Sequence, residues 1–260
     1  MHENQWAPGA APPWLTRPAR ESVKLESVTR AVIFDFYGTL ARWEDSHRSN
    51  YCAVFADHGY ELPDEVLEAY FARYDGVEHG EHSVSEQAYE AWVRHRLCDL
   101  TAACRVAPAD QEKVVDALRA SDQGLMVAYP DAASTLRTLR SWGYAIGVCS
   151  NWGWRLDSFL RQVALFDLVD AAITSARAGA RKPHPSIYEV TTKALGVGSR
   201  DATFVGDSWL PDVAGPRRAG MTAVHLWRAE ERAGQSKPES EFRVDRIGTL
   251  ADLLPLLEVR

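Results

Sequence analysis

The 260-residue sequence has few cysteines and no long apolar run. Its four cysteines form no CxxC pair and no spacing typical of a disulfide-rich domain, so we assign them no chemistry. No stretch approaches the roughly 20 apolar residues that a membrane helix needs, and the N-terminus lacks the apolar centre of a signal peptide. We therefore expect a cytoplasmic protein with no membrane partner.

An excess of basic residues is also absent. The chain has 29 Lys and Arg against 36 Asp and Glu, which gives a net charge of −7. Because polynucleotide affinity depends mostly on basic surface, we expect no nucleic-acid partner. The 46% apolar residues suffice for the core of one large or two small domains. A small-molecule substrate is the expected partner, and the chain could be a monomer or a homodimer.

The first thirty residues have no sustained hydrophobic period. They carry Pro8, Pro12, Pro13 and Pro18 among alanines. Such a segment cannot bury enough surface to offset the entropy lost on ordering, so residues 1–30 are predicted to form a mobile arm.

Short apolar runs recur along the rest of the chain and alternate with helical patterns. Ala132, Leu136 and Leu139, for example, fall at i, i+4 and i+7. Continuous apolar runs are typical of strands buried on both faces of a parallel sheet, and alternation with helices predicts an α/β fold with right-handed crossovers. The predicted strands are Ala31–Phe34, Ala145–Cys149, Ala171–Thr174, Thr203–Gly206 and Thr222–Leu226, and a last short helix is predicted around Leu250–Leu257.

This alternation stops between residues 42 and 127, where apolar residues keep helical spacing only, as in Leu67, Tyr70 and Phe71. The segment is predicted to be an all-helical insertion after the first strand. It would lie over the carboxyl end of the sheet, where open α/β proteins bind ligands. Residues 31–41 and 128–260 would then form the α/β core.

Polar side chains follow four of the predicted strands. Because the carboxyl ends of parallel strands meet at one edge of a sheet, these side chains are expected to share one crevice. They are Asp35 and Thr39 after the first strand, with the turn residue Gly38 between them, Ser150 and Asn151 after the second, Lys182 after the third, and Asp207 and Asp212 after the fourth.

This order of residues resembles the haloacid dehalogenase superfamily. The resemblance extends from about residue 31 to residue 226 and includes a helical insertion of the type called a C1 cap. It implies a hydrolase with a Rossmann-like parallel sheet core. The superfamily has four motifs. The first corresponds to residues 35–39, the second to Ser150, the third to Lys182, and the fourth to Asp207 and Asp212.

The resemblance and the chemistry of the side chains together imply roles for the first three motifs. Asp35 would attack in line and form a covalent aspartyl intermediate. Lys182 would neutralise Asp35 and the transferred group with a compact positive charge. Thr39 and Ser150 would donate hydrogen bonds to phosphoryl or carboxylate oxygens, although each hydroxyl could instead serve as a turn or cap residue.

Asp207 implies Mg²⁺ as cofactor, because two carboxylates that meet in a crevice repel each other unless a cation lies between them. By analogy with the family, Asp35, the backbone carbonyl of Tyr37 and Asp207 would hold the ion. Asp212 would bind its waters or Lys182. The alternative for Asp212 is a cap on the helix that enters at Val213.

Tyr37 departs from the pattern of the family's phosphatases, which usually carry a second aspartate two residues after the nucleophile. That aspartate protonates the leaving alcohol, and a tyrosine with a pKa of about 10 is a poor substitute at neutral pH. The superfamily's 2-haloacid dehalogenases have tyrosine at this position, since halide leaves without a proton. Those enzymes lack the metal-binding aspartate of the fourth motif, whereas Asp207 is present here.

Three further residues are candidate substrate contacts. Asn151 occupies a position where both subclasses place a substrate-facing residue, and Trp152 in the same loop could form an aromatic wall. Tyr188 matches an active-site tyrosine of the dehalogenases. Ordinary packing of Trp152 against the cap and of Tyr188 against the sheet is the alternative in each case.

We therefore expect a Mg²⁺-dependent phosphatase that acts on a small phosphorylated metabolite through an aspartyl-phosphate intermediate. One alternative is a metal-independent 2-haloacid dehalogenase. The other is a weakly active or non-catalytic member that binds a phosphorylated ligand, which the missing acid at Tyr37 would permit.

Overall fold

The computed structural model describes residues 31–44, 47–75, 84–121, 124–230 and 242–258. The predicted N-terminal arm, residues 1–30, lies outside the described residues. Within them, no helix has the length and apolar character needed to cross a membrane.

The core is a six-stranded parallel sheet. Its strand order is β5-β4-β1-β6-β7-β8, so the first strand of the chain lies in the middle. All five predicted strands are present, each within one residue of its expected bounds. The strands are β1 (Ala31–Phe34), β2 (Ala41–Trp43), β3 (Met126–Ala128), β4 (Ala145–Ser150), β5 (Ala171–Thr174), β6 (Ala202–Gly206), β7 (Thr222–Leu226) and β8 (Asp245–Ile247), of which β2 and β3 form a separate pair.

Strand β1 shows why the apolar runs are continuous. It pairs with β4 on one side and β6 on the other, and all four of its residues are buried. Val32 and Phe34 enter the hydrophobic cluster on one face of the sheet, while Ala31 and Ile33 enter the cluster on the other face. A strand covered on both faces has no position for a polar side chain, so the usual alternation of apolar and polar residues is absent from its sequence.

Helices cover both faces of the sheet. Helix α5 (Ala132–Ser141) buries Leu136 and Leu139 against the face that carries Val32 and Phe34. Helix α8 (Pro185–Ala194) buries Ile187 and Tyr188 against the opposite face. The predicted last helix consists of a 3₁₀ turn followed by a short α-helix. The other core helices are α6 (Leu156–Gln162), α7 (Ser175–Ala178) and α9 (Gly215–Arg218), and the chain ends with the 3₁₀ turn Leu250–Leu253 and α10 (Leu254–Glu258).

In the described residues between β2 and β3, four helices form what we call the helical insertion. They have a hydrophobic cluster of their own, which includes Tyr51, Phe55, Leu97 and Leu118. This insertion therefore packs as a unit beside the α/β core. The helices are α1 (His47–Asp57), α2 (Asp64–Asp75), α3 (Glu86–Ala103) and α4 (Pro108–Ser121).

The two ends of this segment differ from the prediction of helix alone over residues 42–127. They form an antiparallel ribbon in which Ala41 pairs with Ala128 and Trp43 pairs with Met126. Each strand has only three residues. A stretch that short has no detectable period in the sequence, and only the pairing of two distant segments makes it a strand.

A matched pair of substitutions tests how much the hydrophobic cluster around Val32 and Phe34 contributes to stability. Leu136 is fully buried, whereas Leu125 is 64% exposed. Leu136→Ala is expected to lower the free energy of unfolding by about 2–5 kcal/mol, because it removes buried methyl groups and leaves a cavity. Leu125→Ala makes the same chemical change at the surface and should alter it by less than about 0.5 kcal/mol. Urea unfolding measures both, and equal losses would contradict this description of the core.

Candidate active site

The carboxyl ends of the central strands bring the predicted polar residues together. The backbone N–H of Asp35 donates to the carbonyl of Val205 at 2.9 Å, which extends the β1–β6 ladder to the first residue of the turn. Ser150 is the last residue of β4, and Asp207 follows β6 directly. The predicted crevice is therefore present at one edge of the sheet.

Lys182 lies between two carboxylates. Its Nζ donates to Asp35 Oδ1 at 2.7 Å and to Asp212 Oδ1 at 2.6 Å. All three side chains are buried. Burial alone would lower the pKa of Lys182, but the charges of Asp212 and Asp35 outweigh it and hold that pKa above its ordinary value. The lysine is therefore a permanent ammonium ion at this site.

Asp212 is held in a π-helical segment, Trp209–Ala214, rather than at the start of a regular helix. Its Oδ2 accepts from the backbone N–H of Ser208 at 3.0 Å, while its Oδ1 faces Lys182. The carboxylate thus contacts the lysine and also caps its own turn. Burial raises the pKa of Asp212 to about 7, although Lys182 acts in the opposite direction; Asp35 and Asp207 add to the rise.

Asp207 completes a cluster of three carboxylates. Asp35, Asp207 and Asp212 each offer an oxygen, and these oxygens lie within 4.8 Å of one another. The ammonium of Lys182 offsets only part of their negative charge. The remaining charge, and the fact that every donor is a hard oxygen, fit a bound Mg²⁺ ion.

Two glycines make this close approach possible. A Cβ on Gly38 would lie 2.8 Å from Asp207 Oδ2, and Gly38 also has a φ of +81°. A Cβ on Gly206 would lie 2.5 Å from Asp212 Cγ. Any side chain at either position would push a carboxylate out of the cluster.

The two hydroxyl residues have different surroundings. Ser150 Oγ donates to Asp35 Oδ1 at 2.9 Å. Thr39 Oγ1 is buried and has no hydrogen-bond partner within the described part of the chain. Because an unsatisfied buried hydroxyl costs about 1–3 kcal/mol, this atom is a candidate contact for a substrate oxygen.

Asn151 makes two hydrogen bonds that the sequence did not indicate. Its Oδ1 accepts from the backbone N–H of Lys182 at 2.7 Å, and its Nδ2 donates to the Lys182 carbonyl at 3.0 Å. Both polar groups of the amide therefore fix the main chain that carries the lysine. Asn151 also lines the adjoining cavity, as the predicted substrate contact requires.

His225 was missed by sequence analysis. It is fully buried in β7, and its Nε2 lies 3.1 Å from the Asp207 carbonyl. Arg246 Nε lies 3.2 Å from Nδ1 of the same ring. Since arginine can only donate, Nδ1 is the acceptor, so Nε2 carries the proton and donates to Asp207. A histidine between the apolar residues Val224 and Leu226 of a strand was the available signal.

A cavity of about 580 Å³ lies between the core and the helical insertion, and its lining includes Asn151, the residue after Ser150. Tyr37, which is 48% exposed, and Trp152 both line it. Trp152 also packs edge-on against Phe36, with ring centroids 5.4 Å apart. Trp152 therefore both packs beside the turn that carries Asp35 and lines the cavity, and its contact with a substrate stays a prediction.

Tyr188 is not among the residues that line this cavity. Its side chain is fully buried, and its hydroxyl donates to the Pro211 carbonyl at 2.6 Å. Its ring packs edge-on against Phe204. Burial raises the pKa of the Tyr188 hydroxyl above its ordinary value, so the group remains a protonated donor. In this structure Tyr188 packs against the sheet and the turn after β6.

The sequence of residues 29–220 matches the model of the family described as haloacid dehalogenase-like hydrolase. The chain belongs to this family. The predicted superfamily and the predicted Rossmann-like α/β fold are thereby confirmed, and the protein is a hydrolase.

Its relatives include both phosphatases and dehalogenases. A phosphatase of Mycobacterium tuberculosis is 34% identical over 128 residues, 48% of this chain and only 56% of the phosphatase. The (S)-2-haloacid dehalogenase 4A of Burkholderia cepacia is 29% identical over 88% of this chain and 94% of its own length. The crystal structure of a family phosphatase from Thermococcus onnurineus is 25% identical, covers 88% of this chain and 98% of its own, and superimposes with a TM-score of 0.59.

The contact between Gly206 and Asp212 can be tested with a matched substitution. Gly206→Ala is expected to lower the free energy of unfolding by about 1–3 kcal/mol, because the new methyl group overlaps the Asp212 side chain. At Gly198 the nearest atom to a Cβ is Asp201 Oδ2 at 3.5 Å, an ordinary contact. Gly198→Ala should leave stability unchanged or raise it by up to about 1 kcal/mol. If denaturant unfolding gave the same result for both variants, the crowding at Asp212 would be refuted.

Proposed function

We propose that this protein is a Mg²⁺-dependent phosphatase that hydrolyses a small phosphorylated metabolite through an aspartyl-phosphate intermediate. The proposal is carried by one observation, the three carboxylates of Asp35, Asp207 and Asp212 within 4.8 Å of one another. Lys182 offsets part of their charge, and a divalent cation would offset the rest. In this proposal residues 42–127 form a cap over a core of residues 31–41 and 128–260.

The residues around the cluster fit Mg²⁺. The ion usually takes one or two carboxylates and keeps waters and substrate phosphate oxygens as its other ligands. Asp35, the backbone carbonyl of Tyr37 and Asp207 would hold it, with Asp212 beside its waters. When bound, Mg²⁺ would supply positive charge for the phosphoryl oxygens.

Each side chain of the site then has its own role in the proposed reaction. The Asp35 carboxylate attacks phosphorus, the bond from phosphorus to the leaving oxygen breaks, and an aspartyl phosphate forms. Lys182, already hydrogen-bonded to Asp35, stabilises the negative charge that develops on the phosphoryl group. Ser150 and Thr39 donate hydrogen bonds to its oxygens. A water molecule then attacks the aspartyl phosphate, which releases inorganic phosphate and restores the carboxylate.

A 2-haloacid dehalogenase is the second candidate. Tyr37, which lines the cavity where a phosphatase would have an acid, favours it. So does the match to the Burkholderia dehalogenase over 94% of that enzyme's length. Asp35 would then attack carbon and displace halide, and water would hydrolyse the resulting ester without a metal.

A substrate screen with and without Mg²⁺ tests the proposal. Phosphate esters should be hydrolysed only in the presence of Mg²⁺, and excess EDTA should abolish turnover. Asp35→Asn keeps the shape of the side chain but removes the attacking charge, so phosphate release should fall by several orders of magnitude. Halide release from 2-haloacids in EDTA, without phosphate release in Mg²⁺, would assign the second candidate instead.

Thermal unfolding supplies the control for this screen. Mg²⁺ should raise the melting temperature of the native protein, and Asp207→Ala should lose both this stabilisation and the activity. If neither native protein nor variant released phosphate or halide while a phosphorylated ligand still raised the melting temperature, the protein would be the non-catalytic binder.

Tyr37 generates a separate prediction about leaving groups. Without an acid of suitable pKa, the rate should fall steeply as the pKa of the leaving alcohol rises, so acyl and aryl phosphates should be better substrates than sugar phosphates. Tyr37→Asp should raise turnover of alkyl phosphates and flatten the dependence. Rates across a series of phosphate esters measure both proteins. A flat series for the native enzyme would show that another group supplies the proton.

A further inference from the structure

We infer that the cavity between the core and the helical insertion is a leaving-group subsite for planar aromatic rings, so that the preferred substrates are aryl phosphate monoesters. This inference rests on the proposed phosphatase function and names its substrate class. The cavity is lined by Tyr37, which is two residues after Asp35, and by Asn151, which follows Ser150. A group leaving from the phosphoryl centre would therefore enter it.

The composition of the walls is the first argument. Nine of the 18 lining residues are aromatic, whereas aromatic residues make up 10% of the chain. The core side contributes Trp152 and Trp154, and the insertion contributes Tyr70, Phe71 and Tyr89. Aromatic walls on two sides offer a ring the offset-stacked and edge-to-face contacts that aromatic pairs prefer.

The rings of the two walls already contact each other or their neighbours, in tilted, stacked and edge-on arrangements. Tyr89 and Trp154 lie across the boundary with ring centroids 6.4 Å apart. Trp43 stacks on Trp152 at 5.9 Å, and Tyr70 lies edge-on to Phe71 at 5.4 Å. These contacts fix the ring orientations before a ligand enters, which reduces the entropy lost on binding.

The charged residues of the lining are the second argument. Arg119 is paired with Glu90 at 2.5 Å, and Arg155 is paired with Glu86 at 2.6 Å. Asp116 lies 3.4 Å from Arg94. These four lining charges are paired within the protein, so they are not available to a second phosphate.

Arg96 also fits an aromatic site. Its guanidinium donates to the Tyr70 carbonyl at 2.8 Å and lies 4.7 Å from the centre of the Tyr70 ring. The arginine thus uses its polar and its planar surface on one tyrosine. Sugar hydroxyl groups would meet ring faces along most of this wall.

The size of the cavity is the third argument. Sites for drug-sized ligands measure about 300–1,000 Å³, and this cavity measures about 580 Å³. Acetyl phosphate or a short haloacid would leave most of that space empty. Tyr37 favours aryl phosphates for a separate reason. A phenol leaves as a weakly basic phenoxide, so its departure depends less on protonation by an acid.

The test compares substrates whose leaving groups have similar acidity but different size. Phenyl phosphate and 2-naphthyl phosphate form such a pair, so chemistry alone predicts nearly equal rates. Burial of the second ring should raise kcat/KM for 2-naphthyl phosphate at least about tenfold above phenyl phosphate. A ratio near one would overturn the inference, and turnover of both esters would leave the phosphatase proposal intact.

Substitutions on opposite walls locate the effect. Trp154→Leu on the core side and Phe71→Leu on the insertion should each lower the naphthyl-to-phenyl ratio about 3- to 10-fold. Trp142→Leu makes the same change at the end of α5, where the ring is 40% exposed and outside the cavity. This control should keep the native ratio. A ratio unchanged by both wall substitutions would place the ring elsewhere and overturn the inference.

A binding measurement separates this inference from the proposed function. Calorimetric titration of Asp35→Asn with 2-naphthol requires no turnover, and the double variant with Trp154→Leu should bind it about 3- to 10-fold more weakly. Binding that depends on Trp154, in a protein that hydrolyses no phosphate ester, would support the aromatic site and reject the phosphatase. No binding of 2-naphthol, together with phosphate release from acetyl phosphate, would do the reverse.

Discussion

The ammonium group of Lys182 lies between the carboxylates of Asp35 and Asp212 in a part of the molecule that water barely reaches. Each of these charges alone would be strongly unfavourable there, and removing one partner from such a group typically costs about 3–5 kcal/mol. Together they tie the end of β1 to the loop before α8 and to the π-helical turn after β6. The site can form only when these three distant segments are correctly packed.

Several neighbouring features keep this charged group in place. Asn151 holds the main chain of Lys182, and His225 holds the carbonyl of Asp207. The missing side chains of Gly38 and Gly206 leave room for the carboxylates to approach. The core thus supplies the fixed charges of the cluster, whereas the core and the insertion both supply aromatic side chains to the cavity.

Sequence reasoning found the sheet and its polar edge because both leave local signals. A strand such as β1, buried on both faces, is apolar throughout, and the carboxylate of Asp35 at its end interrupts the apolar run in the sequence. The contact of Asn151 with Lys182 leaves no such signal, since it joins residues 31 positions apart and depends on how two loops meet. Strands β2 and β3 were missed for the same reason, because pairing across the whole insertion creates them. The position of Tyr188 was left open because a buried tyrosine has the same local pattern whether it packs or contacts a ligand.

The ribbon of β2 and β3 has a consequence for how this protein could have diverged. Because Ala41 pairs with Ala128, the chain leaves the core and returns to it at adjacent points, separated by roughly the 4.5–5.5 Å of neighbouring strands. A recombination event at this junction can exchange the whole intervening piece for one of another length without altering any distance inside the sheet. Under the proposed function, residues at the carboxyl ends of the strands and residues of the insertion can then change independently, so the reaction can be retained while the substrate changes.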